Sequence, residues 1–226
     1  MQVDRLADAV LHGADQYVHG SHRLREHRRF LVGISGIPGA GKSTLAHDVA
    51  RRSLMRRGAE VCLCVGMDGW HYSRRQLDAM PDPAHAHARR GAAFTFDAEA
   101  FVAWVERLRA AAPGAFPRCT APTFSHAEKD PVPDGLAIEP WHTIVLVEGL
   151  YCNLAVAPWD RAAACWDLRW FVQVTDAEAR ARLTRRHLEA GLAPTAEAAQ
   201  HRADTNDLPN GAWILAHTIE PIERLG

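Results

Sequence analysis

The sequence predicts a three-layer α/β/α fold built on a mostly parallel sheet of five strands. The first observation behind this prediction is that short apolar runs alternate with helical patterns, as they do when a parallel sheet is covered on both faces. The second is a composition ordinary for one large globular domain: 226 residues, 47% of them apolar and 23% charged. Disordered, collagen-like and fibrous chains are therefore excluded.

The elements can be predicted in chain order from the spacing of their apolar residues. Residues 3–18 repeat apolar side chains at helical spacing, which predicts an amphipathic helix. The run 30–35 predicts a first, buried strand, and residues 42–57 predict the helix that follows it. We predict further strands at 61–66, 143–147 and 168–174, a weaker fifth strand at 213–217, and helices around 101–108 and over 176–190.

The chain is predicted to be one domain, 1–226, with an N-terminal segment and an insertion. The segment 1–29 holds the first helix and a connector, SHRLREHRR, whose four arginines meet either phosphates or, as we favour, solvent. The stretch 71–142 contains eight of the 13 prolines and is predicted to be an insertion outside the sheet. It separates the second strand from the third.

Charge and cysteine usage narrow the class of protein. The net charge of −1 gives no general electrostatic reason to bind nucleic acid or an anionic membrane. Glu148 interrupts the longest apolar stretch, and the five cysteines are odd in number with no CxxC spacing. We therefore expect a cytoplasmic protein with reduced thiols, no nucleic-acid partner and no membrane partner. The oligomeric state is not readable, and a dimer stays open.

The segment GIPGAGKS, residues 36–43, matches the phosphate-loop pattern GxxxxGK[ST] in full. A predicted strand precedes it and a predicted helix follows it, so backbone N–H groups and the helix N-terminus would face phosphate oxygens. Lys42 would neutralise the β and γ phosphates, and the Ser43 hydroxyl would coordinate Mg²⁺. The sequence thus predicts a phosphate-loop protein that binds a nucleoside triphosphate, with candidate nucleotide contacts at Gly36, Gly39, Ala40, Gly41, Lys42, Ser43 and Thr44.

Two carboxylates follow predicted strands at the edge where open α/β sheets place their active sites. Asp68 comes shortly after the second strand, and Glu148 directly after the third. One of them can hold Mg²⁺ and the other can accept a proton from an attacking hydroxyl. The residues alone do not decide which does which.

Three arginines share one face of the helix predicted at 176–190. Arg182, Arg185 and Arg186 lie at positions i, i+3 and i+4. A solvated basic face is the ordinary explanation, but after the fourth strand the cluster suits a lid, residues 176–204, that closes over transferring phosphate. A regulatory GTPase is excluded, because the chain lacks NKxD and DxxG elements.

The ordered set GISGIPGAGKST, MDGWHY, VLVEGLY and RLTRRH resembles the group of uridine kinases, pantothenate kinases and phosphoribulokinases. The resemblance covers about residues 30–218. Within the group, MDGWHY, RRGAAFTFD, FSHAEKD and TNDLPNG look most like a bacterial and fungal branch of nucleoside-kinase-like proteins. It implies a phosphate-loop kinase fold and the use of ATP with Mg²⁺.

The resemblance also assigns roles. Asp68 matches the catalytic base, Glu148 the residue that holds Mg²⁺ together with Ser43, and Arg182 and Arg186 the lid arginines, with Arg185 a looser match. Asn206 and Asn210 either approach the adenine or serve as cap and turn residues. The candidates for the acceptor side, within the insertion 71–142, are His71, Arg90, Phe96, Phe124 and His126.

We therefore predict an ATP-dependent kinase that phosphorylates a hydroxyl of a nucleoside, a sugar or a related small metabolite. The segments GWHYSRRQL and RRGAAFTFD depart from the uridine kinase pattern, so neither uridine nor pantothenate specificity can be carried over. Two alternatives stay open: a nucleotide-binding regulatory protein without catalysis, and an ATPase that processes nucleic acid. The charge balance disfavours the second.

Overall fold

The computed structural model of the chain describes residues 1–19, 28–110 and 116–226. Within them, five parallel strands form a central sheet in the order β2-β5-β1-β6-β7. Two further strands, β3 and β4, pair with each other in an antiparallel hairpin outside that sheet. The strands are β1 (Phe30–Gly36), β2 (Cys62–Gly66), β3 (Cys119–Ser125), β4 (Asp130–Ile138), β5 (Ile144–Glu148), β6 (Leu168–Val172) and β7 (Glu223–Leu225).

Helices complete the three layers of the predicted α/β/α fold. A π-helix, Ala203–Asp207, joins α8 to α9, and short 3₁₀ turns cover Met67–Trp70 and Ala93–Thr95. The α-helices are α1 (Gln2–His19), α2 (Lys42–Arg57), α3 (Arg74–Asp78), α4 (Pro83–Ala88), α5 (Ala98–Arg109), α6 (Trp159–Ala163), α7 (Asp176–Glu189), α8 (Ala196–Arg202) and α9 (Leu208–His217).

The sheet is apolar on both faces at its centre. All seven residues of β1 are buried, because parallel neighbours flank it on each side and helices cover both of its faces. Phe30 is level with Ile144 of β5, and Val32 is level with Leu168 of β6. The carboxyl ends of β1, β2 and β5 therefore meet at one edge of the sheet.

The fifth strand was predicted in the wrong place. Residues 213–217 belong to α9, where Ile214 is buried and Leu215 is 45% exposed. A short apolar run fits a helix as well as a strand, and only its neighbours decide between them. The strand that does close the sheet is β7, a three-residue edge strand whose first two residues are exposed.

The N-terminal helix packs on α2 through opposite charges. Asp8 pairs with Arg56, Asp15 pairs with Arg57, and Asp4 lies 3.1 Å from Arg52. Beneath these pairs, α1 buries one face against the core, formed by Leu6, Ala7, Val10 and Ala14. The helix is thus part of the layer that covers the sheet beside α2.

The prediction of a solvated connector is wrong at its end. Residues 21–27 lie outside the described residues, but Arg29 is 3% exposed and donates to the carbonyls of Pro117 (2.9 Å) and His142 (3.0 Å). Arg28 lies 3.0 Å from Asp167. These arginines tie the start of β1 to its surroundings, since a buried guanidinium needs several acceptors.

All five cysteines are free, as expected, and burial raises the pKa of the Cys62 thiol to about 12. In the part of the chain that the structure describes, no helix is both long enough and apolar enough to cross a bilayer.

Candidate active site

The phosphate loop lies between β1 and α2, as the motif predicts. Gly39 (φ 79°) and Gly41 (φ 94°) adopt left-handed backbone conformations that favour glycine. The loop curls around Lys42, whose Nζ donates to the carbonyls of Gly36 and Ile37, each at 3.1 Å. Burial lowers the pKa of this lysine. An amine already desolvated inside the loop is ready to exchange carbonyl partners for phosphate oxygens.

A cavity of about 340 Å³ opens between the phosphate loop and α7. Its wall is rich in cations and in backbone from the start of a helix, which is the chemistry that binds phosphate. The lining residues are Gly39, Gly41, Lys42, Ser43, Thr44, Arg182, Leu183, Arg185, Arg186 and Glu189. Of the predicted nucleotide contacts, Gly36 and Ala40 shape the loop behind this wall.

Ser43 and Glu148 form the pair of oxygen donors expected for Mg²⁺. The Ser43 hydroxyl donates to Glu148 Oε1 at 2.9 Å, which joins the start of α2 to the end of β5. Burial raises the pKa of Glu148, and the charge of Lys42 opposes that rise. A hydroxyl and a carboxylate in direct contact, beside a phosphate loop, fit a hard divalent cation.

Asp68 stands on the 3₁₀ turn that follows β2, next to this pair. Its side chain is half exposed. Its negative charge adds to the rise in the pKa of Glu148 and opposes the lowering of the pKa of Lys42. The three groups therefore share one electrostatic site at the carboxyl edge of the sheet. An exposed carboxylate here can receive a proton from a group bound beside the phosphates.

The five residues predicted on the acceptor side form one cluster next to Asp68. The His71 ring lies 3.9 Å from the Phe96 ring and 5.1 Å from the Phe124 ring, and His126 packs 5.4 Å from Phe124. His71 Nδ1 donates to the Asp68 carbonyl at 2.9 Å, and burial lowers the pKa of this histidine. Burial thus favours the neutral imidazole, and with Nδ1 as the donor its Nε2 would be an acceptor for a hydroxyl.

Arg90 belongs to the cluster as an anchor. It lies 5.3 Å above the Phe124 ring and donates to the carbonyls of Tyr72 (2.9 Å) and Lys129 (2.6 Å). Asp130 is 3.4 Å away and matches its charge. The guanidinium holds the β3–β4 hairpin against the turn after β2, and its terminal nitrogens already have protein partners.

The three predicted lid arginines differ in their contacts. Arg182 donates to the carbonyls of Gly39 and Ala40, each at 3.2 Å, and pairs with Glu178. Arg186 lines the cavity, and its charge helps to lower the pKa of Lys42. Arg185 is 74% exposed and 3.9 Å from Glu189. Arg182 is therefore the arginine most closely tied to the phosphate loop.

Asn206 and Asn210 do not line the cavity. Both are buried, and both accept from Arg89: Nε reaches Asn206 Oδ1, and a terminal nitrogen reaches Asn210 Oδ1, each at 2.9 Å. The amide nitrogen of Asn206 donates to the Arg90 carbonyl at 3.2 Å. Their amides thus bind Arg89 and the backbone of Arg90, the segment that carries the anchor of the acceptor cluster.

Sequence reasoning missed several buried polar residues around the site. Asn153 is fully buried and its amide nitrogen donates to Gly33, Ser35 and Trp170, so it pins the loop after β5 to β1 and β6. His187 on α7 meets Asp207 at 2.8 Å, also buried. Asn153 could have been identified from the sequence, because it is an isolated polar residue inside the apolar run LYCNLAVA.

Comparisons with known proteins give relatives of one kind. No family model matches the chain. It is 48% identical over 159 residues to an ATP-dependent kinase-like protein of Aspergillus versicolor, covering 70% of this chain and 92% of the relative. It is 37% identical over 221 residues to a Schizosaccharomyces pombe protein provisionally named a uridine kinase, covering 98% and 92%.

The solved structures agree. A Silicibacter sp. TM1040 protein, provisionally named a fructose transport system kinase, matches over all of both chains with a TM-score of 0.82 and 30% identity. A Saccharomyces cerevisiae protein provisionally described as a P-loop containing kinase has a TM-score of 0.85 at 22% identity, a similarity that shows the fold alone.

Proposed function

The chain belongs to the ATP-dependent, uridine-kinase-like family of P-loop kinases, and from this premise we propose that it transfers the γ-phosphoryl group of ATP to a hydroxyl of a small metabolite. The observation that carries the proposal is the contact of Ser43 with Glu148 at 2.9 Å, with Asp68 beside it at the same edge of the sheet. A protein that only bound nucleotide would have no use for the third group.

In this proposal the phosphate loop and its lysine hold the triphosphate. Lys42 exchanges the carbonyls of Gly36 and Ile37 for β- and γ-phosphate oxygens. Ser43 and Glu148 would hold Mg²⁺, which supplies neutralising charge between the β and γ phosphates when bound. Because Lys42 and Glu148 are both desolvated, their interactions with charge are strong in this position.

Asp68 is assigned the role of base. The acceptor oxygen forms a bond to the γ-phosphorus, the bond from that phosphorus to the bridging oxygen of the β-phosphate breaks, and ADP leaves. The hydroxyl proton passes to the Asp68 carboxylate as the new bond forms. Arg182 and Arg186, on the proposed lid 176–204, counter the charge spread over the transferring group. Positioning and electrostatics supply most of the rate enhancement.

The acceptor side of the proposal, within 71–142, suits an uncharged compound such as a nucleoside or a free sugar. Arg90, the cation of the cluster, is already bonded to two carbonyls and matched by Asp130. What the cluster offers is aromatic surface from Phe124 and His126 and the Nε2 acceptor of neutral His71. These groups favour a ligand with hydroxyls and an apolar face over an anionic one.

The test is ADP formation from Mg–ATP over separate pools of nucleosides, free sugars, pantothenate-like alcohols and sugar phosphates. We expect one uncharged pool to raise turnover well above the rate with ATP alone, and Asp68→Asn to abolish the gain while an ATP analogue still binds. Asp97→Asn is the matched control, because it also removes one carboxylate charge near the acceptor side, while the asparagine still caps α5.

Equal rates for wild type and Asp68→Asn over every pool would contradict the proposal. The nucleotide-binding regulatory alternative would then be the better description, and a nucleotide-dependent change in partner binding would be sought. Binding of ATP and GTP analogues in the same experiment tests the preference for ATP.

A further inference from the structure

The π-helix Ala203–Asp207 is the place where two parts of the site meet, the acceptor side and the lid helix α7. Asn206 accepts from Arg89, which directly precedes the acceptor-side anchor Arg90. The next residue, Asp207, accepts from His187 Nε2 on the helix that carries the lid arginines, at 2.8 Å, and both are buried. Consecutive side chains of one turn thus hold the acceptor side and the lid.

The helix that follows the π-helix also touches the phosphate loop. Gly211 of α9 packs so closely that a Cβ there would lie 3.2 Å from Cβ of Ile37 in the loop. Glycine is less stable than alanine inside a helix, so the close approach of α9 to the loop comes at the expense of helix stability. The segment 203–211 therefore contacts the loop, the lid helix and the acceptor segment.

Adjacent arginines join the π-helix to the acceptor cluster. Arg89 and Arg90 are neighbours whose side chains reach different partners: Arg89 binds Asn206 and Asn210, while Arg90 binds the Tyr72 and Lys129 carbonyls and lies over Phe124. A displacement of the acceptor cluster is thereby transmitted to the π-helix through one short segment of backbone.

We propose that Arg89, Asn206, Asp207 and His187 are positioning residues that set α7, and with it Arg182 and Arg186, at the right distance from the acceptor and the phosphate loop. This inference rests on the proposed kinase function. Buried polar side chains that hydrogen-bond to one another fix their relative positions through directional contacts, and π-helical turns recur at functional sites. None of the four needs to touch substrate.

The chain supplies a matched control on the same two elements. Arg180 of α7 also binds the π-helix, at Asp204 (2.6 Å), but both side chains are well exposed, 45% and 36%. Exposed pairs contribute little to stability or geometry. Arg180→Ala should therefore leave activity unchanged, whereas loss of the buried Arg89 or Asp207 contacts should not.

The first test is kinetic. Arg89→Leu and Asp207→Ala are each expected to lower kcat by about 10- to 100-fold, with KM for ATP changed less than about threefold, since displacing the lid by about 1 Å impairs only the transfer step. Because the residues act in series, the double variant should lose little more than either single variant. Fully additive losses, or a change confined to KM, would overturn the proposal.

The second test is hydrogen exchange, which needs no acceptor. In the free protein, amides of α7 should exchange faster in Arg89→Leu than in Arg180→Ala, relative to α2 in the same molecule. An ATP analogue should slow α7 exchange in wild type, and this slowing should be about tenfold smaller in Arg89→Leu. Asn210→Ala removes one of the two Arg89 contacts and serves as the test variant if Arg89→Leu does not fold. Its α7 exchange rate should lie between that of wild type and that expected for Arg89→Leu.

The two proposals fail in different ways. If no acceptor raises ADP formation in wild type, the kinase function fails, yet faster exchange in α7 still supports the positioning role. If Arg89→Leu and Arg180→Ala exchange alike across α7, the positioning role is wrong whatever the activity of the enzyme.

Discussion

Replacing Gly69 with alanine should separate binding of the acceptor from binding of the nucleotide. Gly69 follows Asp68 in the turn after β2 and packs against the β3 backbone. A Cβ at this position would lie 2.2 Å from the Pro122 carbonyl oxygen, whereas real Cβ contacts essentially never fall below 3.0 Å. The turn and the hairpin must therefore move apart by about 0.8 Å.

That displacement changes the distance between the proposed base and the acceptor cluster, because Asp68 lies on the turn and Phe124 and His126 lie on the hairpin. A misplacement of about 1 Å can cost about 100-fold in rate, so we expect a loss of that order in kcat/KM for the acceptor. Overpacking also costs about 1–3 kcal/mol, and each kcal/mol lowers Tm by about 2–4 °C in a domain of this size. The variant should stay folded at 25 °C.

The assay is steady-state ADP formation with the best acceptor, together with calorimetric binding of an ATP analogue. Gly13→Ala is the control, because its Cβ would lie 2.4 Å from the Phe30 ring, a steric clash that falls between α1 and β1 and meets a side chain instead of backbone. It should lose stability and keep kcat/KM. Wild-type kinetics in Gly69→Ala, or weakened analogue binding equal to the loss in rate, would refute the reasoning.

Three further predictions address single residues. Burial raises the pKa of Glu148, so its stabilising contribution is present at low pH and is lost as the pH rises through the folded-state pKa. Glu148→Gln should therefore raise Tm at pH 7 and leave Tm unchanged at pH 4. A gain in Tm that persists at pH 4 would contradict this account. Arg182→Ala should lower kcat by about 100-fold, because it binds the loop carbonyls, while exposed Arg185→Ala changes kcat less than about threefold; equal effects in the same assay would contradict the difference in their contacts. Asn206→Ala should lower the free energy of unfolding by about 1–3 kcal/mol in denaturant titration, since Arg89 loses a buried acceptor. The affinity for an ATP analogue should be unchanged. Weaker binding of the analogue would instead indicate that Asn206 contacts the adenine.

The central layers could be predicted because their signal is local. The runs at β1, β2, β5 and β6 are apolar, helical patterns lie between them, and each strand lies where it was expected. The phosphate loop was equally readable, because its geometry requires glycines and a lysine at fixed positions. The short polar strand β7 lacks both signals, since only Leu225 of its three residues is buried.

The candidate site divides in the same way. That Asp68 and Glu148 share one edge follows from the parallel sheet and could be foreseen. The contacts of Arg89 with Asn206 join residues 117 positions apart through irregular segments, and no periodicity encodes such a pair. Long-range side-chain pairs of this kind are decided by packing, so they become visible only in the folded structure.

The separation of the β3–β4 hairpin from the central sheet bears on how such a protein can change its preference. Among the described residues the hairpin forms no β-pairing with the central sheet, yet it carries Phe124 and His126 toward the proposed base, Asp68. Its sequence can therefore drift, or be grafted from a relative, without altering the ladder that supports the phosphate loop. Selection can act on the recognition of one compound while the machinery that handles phosphate is inherited intact.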